Sequence, residues 1–121
     1  MPKSVLIVED SPDAGNALRL LIEFEGYQAV IAETAAAGRS MARAMGPDLI
    51  LLDLALPDED GLEVARELRS CSVTAGTPIL VVSSHTHGIE SAVLAAGCTE
   101  VFNKSEFIYS FRDTIKKYLA A

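Results

Sequence analysis

Short continuous apolar runs that each end in polar or charged residues are the feature that most constrains this chain. Val5-Leu6-Ile7-Val8 ends in Glu9-Asp10, and Leu49-Ile50-Leu51-Leu52 ends in Asp53. Pro78-Ile79-Leu80-Val81-Val82 ends in Ser83-Ser84, and Val101-Phe102-Asn103 ends in Lys104. Runs without alternation are what a strand covered on both faces requires, and such strands belong to parallel sheets. The segments between them have helical spacing. Ser11-Pro12 is a helix start, with Ser as N-cap and Pro at the first helical position. Ala14, Leu18, Leu21 and Ile22 follow at helical intervals, and Gly26 stops the helix.

Tyr27 to Ala32 has the composition of a short strand. Thr34 caps an Ala-rich helix through Ala35, Ala36, Met41, Ala42 and Met45, closed by Gly46-Pro47. Gly61 opens a helix with Leu62, Ala65 and Leu68 on its apolar side, and a weak helix runs around Ile89, Val93 and Ala96 to Gly97. The last helix carries Ile108, Phe111, Ile115 and Leu119. Strand and helix therefore alternate five times, the pattern of a doubly wound α/β sandwich of three layers. Ligands of such folds bind beyond the carboxyl ends of the strands. Glu9, Asp10, Asp53, Ser83 and Lys104 all fall there.

The 121 residues suffice for one domain with a real core and not for two. No apolar run is long enough to cross a bilayer, and the N-terminus lacks the apolar stretch of a signal peptide, so the default is a cytoplasmic protein with no membrane insertion. A net charge of −7 argues against direct nucleic-acid binding, which needs clustered Lys and Arg. Cys71 and Cys98 belong to no Cys-x-x-Cys pattern and are read as reduced thiols, Cys98 packed near a helix end. His85 and His87, two apart with no Cys nearby, read as loop surface.

Three crowded carboxylates repel one another and call for a positive charge among them. One or two carboxylates with several waters suit Mg²⁺, and Mn²⁺ takes the same ligands. A carboxylate can also attack phosphorus. A Lys ammonium and a Ser hydroxyl supply the charge and the donor that phosphoryl oxygens need. Each residue has an ordinary reading alone. Glu9-Asp10 could be helix-start acids, Asp53 an exposed acid, Ser83 or Ser84 a helix cap, and Lys104 a solvated charge. Their joint placement, each at the end of a different strand, is what points to a site.

With these motifs the chain resembles the CheY-like receiver domain of two-component response regulators over essentially its whole length. The carrying residues are Val5 to Asp10, Asp53-Leu54-Ala55-Leu56-Pro57-Asp58-Glu59-Asp60-Gly61, Pro78 to Ser83, and Gly97 through Lys104. The resemblance implies a flavodoxin-like (βα)5 fold with a five-stranded parallel sheet in the order 2-1-3-4-5. It implies that Asp53 accepts a phosphoryl group from the phosphohistidine of a sensor histidine kinase or histidine phosphotransfer protein. Asp10 would bind Mg²⁺ (or Mn²⁺) directly alongside Asp53, Glu9 largely through water, and Ala55 through its backbone carbonyl. Ser83 would bond the phosphoryl group, and Lys104 would pair with it.

Three positions depart from the family pattern. Val101 stands where an aromatic switch residue is usual, and Phe102 faces the other side of the sheet. Ser105 replaces the Pro that usually follows the Lys. A cis bond there would cost about 2.5–4 kcal/mol, so either the loop is trans and reshaped or it stores strain, and Ser105 is a possible cap for the last helix. Ser84 replaces a small Ala. Ala55 offers no side-chain hydrogen bond to an attacking water, whereas His85 offers one. Changes at either are expected to alter phosphoryl lifetime more than stability.

Residues 1–121 are thus expected to form a single receiver domain without an attached output domain, not an enzyme beyond its own phosphorylation and dephosphorylation. Its expected output surface is the fourth helix, the last strand and the last helix, acting on a downstream protein as a monomer or a phosphorylation-dependent dimer. The alternative is a pseudo-receiver, a constitutive interaction scaffold that takes no phosphate. An Asp-nucleophile phosphoryl hydrolase would need a cap insertion for which the chain has no room. Flavin binding would need a Gly/Ser/Thr-rich loop after the first strand, where this chain is acidic.

Overall fold

The computed structural model describes residues 2–84 and 86–120. Five strands alternate with five helices: β1 (Ser4–Val8), α1 (Pro12–Phe24), β2 (Gln28–Ala32), α2 (Ala35–Met45), β3 (Leu49–Leu52), α3 (Gly61–Ser70), β4 (Ile79–Ser83), α4 (Glu90–Ala95), β5 (Glu100–Asn103) and α5 (Lys104–Leu119). The strands form one parallel sheet in the order β2-β1-β3-β4-β5, as the family resemblance implies. The chain goes out to β2 and returns past β1 to β3. The switch point therefore lies between the carboxyl ends of β1 and β3.

The continuous apolar runs are explained by the two layers that cover the sheet. Side chains alternate along each strand. Leu6, Val8, Ile50, Leu52, Ile79 and Val81 pack against α2, α3 and α4. Val5, Ile7, Leu49, Leu51, Leu80 and Val82 pack against α1 and α5. Every residue of β3 and β4 is buried, so neither strand has a polar face to display.

Local signals fix most helix ends. The Ser11 hydroxyl accepts from the Ala14 amide at 3.3 Å, and Thr34 Oγ1 accepts from Ala37 at 3.1 Å. Two caps were not anticipated from the sequence. Asp60 accepts from the Leu62 amide at the start of α3, and Asn103 accepts from the Ser105 amide at the start of α5. Ser105 is not the cap: its own hydroxyl donates to Asn103 Oδ1 at 2.6 Å. Peptide bonds among the described residues are all trans, so the Lys104–Ser105 link takes the trans alternative.

The expected apolar stripe of α5 is rotated by one residue at its start. Phe107, Phe111, Ile115 and Leu119 are buried, while Ile108 is 60% exposed. Phe107 anchors this layer, with its ring 5.0 Å from Phe102 and 5.7 Å from Phe111. α4 has only six residues and no side-chain cap, in keeping with its weak sequence signal. Cys71 and Cys98 are both free thiols.

Candidate functional site

Backbone pairing brings the acids together. The Glu9 amide donates to Ala32 O on one side of β1, and the Asp53 amide donates to Val8 O on the other, both at 2.9 Å. Each residue is thus held in the ladder just past its strand, across the switch point. Glu9 is buried at 2% exposure and Asp53 at 7%, while Asp10 sits exposed at the rim. One carboxylate oxygen from each of Glu9, Asp10 and Asp53 lies within 4.8 Å of the other two. Hard oxygen donors at this spacing fit a divalent cation such as Mg²⁺ or Mn²⁺.

Lys104, the first residue of α5, reaches into the trio. Its Nζ donates to Asp53 Oδ2 at 3.1 Å and also pairs with Glu9 Oε1. A cation in the first turn of a helix is opposed by the helix dipole. Here two carboxylates offset that cost. Burial alone would lower the Lys104 ammonium, but its hydrogen bonds to Glu9 and Asp53 outweigh burial and hold its pKa above the ordinary value. The floor beneath the acids is apolar, formed by Ile7, Leu18, Leu51 and Val82. Burial accordingly pushes the Glu9 carboxyl up. Lys104 and the Ser11 amide, which donates to Glu9 Oε2 at 3.2 Å, offset part of that rise.

The loop after β3 shapes the rest. The Ala55 amide donates to Asp53 Oδ1 at 3.1 Å, so one carboxylate oxygen is held by the loop and the other by Lys104. A bridge between Ala55 and Asp60 and a bond from the Gly61 amide to Leu54 O at 3.1 Å fold the loop back on itself. Ser83 ends β4, buried, between Asp53 past β3 and Asn103 of β5 in sheet order. Ser84 is exposed. Val101 packs toward the α2–α3–α4 layer and Phe102 toward the α1–α5 layer, the opposite facing expected from strand geometry. His85 lies outside the described residues.

The sequence reading missed Asp58, Glu59 and Arg39, which bind the site loop to α2. Asp58 accepts from the Ala35 and Ala36 amides, and Glu59 pairs with Arg39. The caps Asp60 and Asn103 did carry a usable signal, since each is followed three residues later by Glu (Glu63 and Glu106).

A five-stranded parallel sheet between two helical layers, with an acidic trio and a lysine at its switch point, has the architecture of the CheY-like fold. Comparison with known proteins gives the family. The response regulator receiver domain matches residues 5–116, and the chain belongs to that family. It is 36% identical over 120 residues to the polar-differentiation response regulator DivK of Brucella anthropi, covering 98% of both chains, and 35% identical to that of Brucella ovis over the same shares. Among solved structures it is similar to the chemotaxis protein CheY4 of Vibrio cholerae, with a TM-score of 0.90, 23% identity, and coverage of 98% of this chain and 100% of that one. It is also similar to the receiver domain of the sensor histidine kinase PA1611 of Pseudomonas aeruginosa, which carries a magnesium ion in its active-site cleft. That match has a TM-score of 0.89, 21% identity and full coverage of both chains. The Mn²⁺-bound response regulator Rcp1 matches with a TM-score of 0.85, 22% identity, and coverage of 99% and 96%.

Proposed function

We propose that residues 1–121 form one two-component receiver unit that takes a phosphoryl group on Asp53 and changes its protein contacts in response. The observation that carries this reading is the setting of Asp53. Its carboxylate is nearly buried, gripped by the Ala55 amide on one oxygen and by Lys104 on the other, with Glu9 and Asp10 beside it.

In the proposed transfer, an Asp53 oxygen attacks phosphorus of a phosphohistidine on a sensor histidine kinase or histidine phosphotransfer protein. The new O–P bond forms as the N–P bond breaks, and the departing electron pair stays on the imidazole nitrogen, which takes up a proton. The Ala55 amide fixes the plane of the attacking carboxylate. Lys104 then pairs with a phosphoryl oxygen, and the Ser83 hydroxyl donates to another. Asp10 and Asp53, the Ala55 carbonyl and, through water, Glu9 would hold Mg²⁺ or Mn²⁺, which supplies positive charge for the phosphoryl oxygens.

The output surface in this reading is α4, β5 and α5, where a downstream protein would dock. The six-residue α4 lacks a side-chain cap and is preceded by Gly88 at a φ of 76°, features of an element held with little free energy. Phosphorylation acts there by stabilising one arrangement over another. A cytoplasmic setting agrees with the absence, among the described residues, of any helix long and apolar enough to cross a membrane.

The test is intact mass after incubation with Mg²⁺ and acetyl phosphate, beside an Asp53→Asn control. A gain of one phosphoryl group in the wild type alone is expected. No gain by the folded wild type, either from acetyl phosphate or from a phosphorylated histidine donor, would leave the scaffold reading in its place.

A further inference from the structure

The loop that presents Ala55 to Asp53 is tied to a helix that contributes no residue to the acidic trio. Both oxygens of Asp58 are used: Oδ1 accepts from the Ala35 amide at 2.8 Å and Oδ2 from the Ala36 amide at 3.0 Å. These are the first two residues of α2, and both amides lack partners within the helix. Thr34 caps the same helix separately, at Ala37. The next loop residue, Glu59, accepts from Arg39 Nη1 at 2.7 Å, one turn further along α2. That guanidinium also donates to Glu67 of α3 at 2.9 Å, and its side chain is only 15% exposed.

The loop's own backbone bonds, Leu56 to Leu54, Gly61 to Leu54 and the Ala55–Asp60 bridge, are internal to it. They preserve its shape but do not place it. Leu54 and Leu56 pack against the core without directional preference. Charge-assisted hydrogen bonds are short and directional, and here they run to a helix.

Resting on the receiver reading above, we infer that Asp58 is a positioning residue of the Asp53 site. By pinning the β3–α3 loop to the N-terminus of α2, it sets where the Ala55 amide and carbonyl stand relative to the Asp53 carboxylate. Glu59, through Arg39, is the second pin. α2 thereby becomes part of the scaffold of a site to whose acidic trio it contributes no residue.

Thr34 supplies the control, because Thr34→Ala weakens the capping of α2 without releasing the loop. Amide hydrogen exchange at Ala55 and Gly61 would be measured by NMR in wild type, Asp58→Ala and Thr34→Ala, together with Mg²⁺ affinity and the rate of phosphoryl uptake from acetyl phosphate. Asp58→Ala is expected to speed exchange at Ala55 about fivefold to tenfold, the scale set by the loss of a capping contact, and to weaken Mg²⁺ binding. Thr34→Ala is expected to leave both at wild-type values. Unchanged loop exchange in Asp58→Ala, or equal effects of the two variants, would overturn the inference. A wild type that binds no Mg²⁺ and takes up no phosphoryl group would instead sink the receiver reading, and the exchange comparison would still decide whether Asp58 positions the loop.

Discussion

A Cβ built on Gly61 would stand 2.7 Å from the backbone carbonyl oxygen of Asp53 and 2.7 Å from Leu54 Cα. The start of α3 therefore abuts the main chain of the central acid, and only a residue without a side chain fits there. The atoms in the way are backbone, so they cannot swing aside. Gly61→Ala is expected to cost about 1–3 kcal/mol of stability and to slow phosphoryl uptake as Asp53 is displaced. Denaturant unfolding and acetyl phosphate kinetics on the same preparation check both parts.

Divalent metal should stabilise the fold. Any ligand that binds only the native state adds free energy by mass action, about 2.7 kcal/mol at a hundred times its dissociation constant. Mg²⁺ is expected to raise the wild-type Tm and to have a much smaller effect on Asp10→Asn, since Asp10 is the exposed member of the trio. Thermal unfolding with Mg²⁺ and with EDTA measures the difference.

Asp58 makes an acid-sensitive contribution to stability. Hydrogen bonds from the Ala35 and Ala36 amides hold its carboxyl below the ordinary value of 3.8. A depressed acid stabilises the fold when ionised. The contribution is therefore complete above that ordinary value and is lost as pH falls through the lower folded one. The Tm gap between wild type and Asp58→Asn should be widest near neutrality and close in strong acid. A gap independent of pH would contradict the assignment.

The two thiols should differ sharply in reactivity. Burial pushes Cys98 up to about 11, and it is 5% exposed. Cys71 is half-buried at the end of α3, and hydrogen bonding from the Val73 backbone lowers its thiol. At about pH 8 a thiol reagent should modify one equivalent, at Cys71, in the native protein, and Cys98 only after unfolding. Peptide mapping of the modified chain identifies the site.

Phe102 belongs to the α1–α5 layer and faces away from α4. Phe102→Ala, which loses the contact with Phe107, is expected to cost about 2 kcal/mol, less than a fully buried Phe because the ring is half-exposed. Phosphoryl uptake should stay near the wild-type rate. Urea denaturation and the mass assay separate the two effects.

The sheet was legible because fully buried parallel strands leave an unbroken apolar signature, and β1, β3 and β4 carry one. The acids and Lys104 were legible because strand ends in this architecture converge on one edge. The Ser11 and Thr34 caps are local, three residues from the amides they serve, and could be read directly. The Asp58 cap could not, because its partners lie 23 and 22 residues away in sequence and meet it only once the loop and α2 are assembled. The stripe of α5 was misplaced at Ile108 for a related reason. The helix begins at Lys104, and its entry angle is set by Asn103 and the Phe102–Phe107 contact rather than by periodicity.

Lys104 follows the edge strand β5, the last strand to be synthesised. The acids at positions 9, 10 and 53 emerge from the ribosome well before the ammonium that balances them. A nascent chain short of its final strand would hold the repelling charges without their partner. In the receiver reading proposed above, the charge balance that phosphoryl uptake on Asp53 needs is thus complete only when the last strand and α5 are in place.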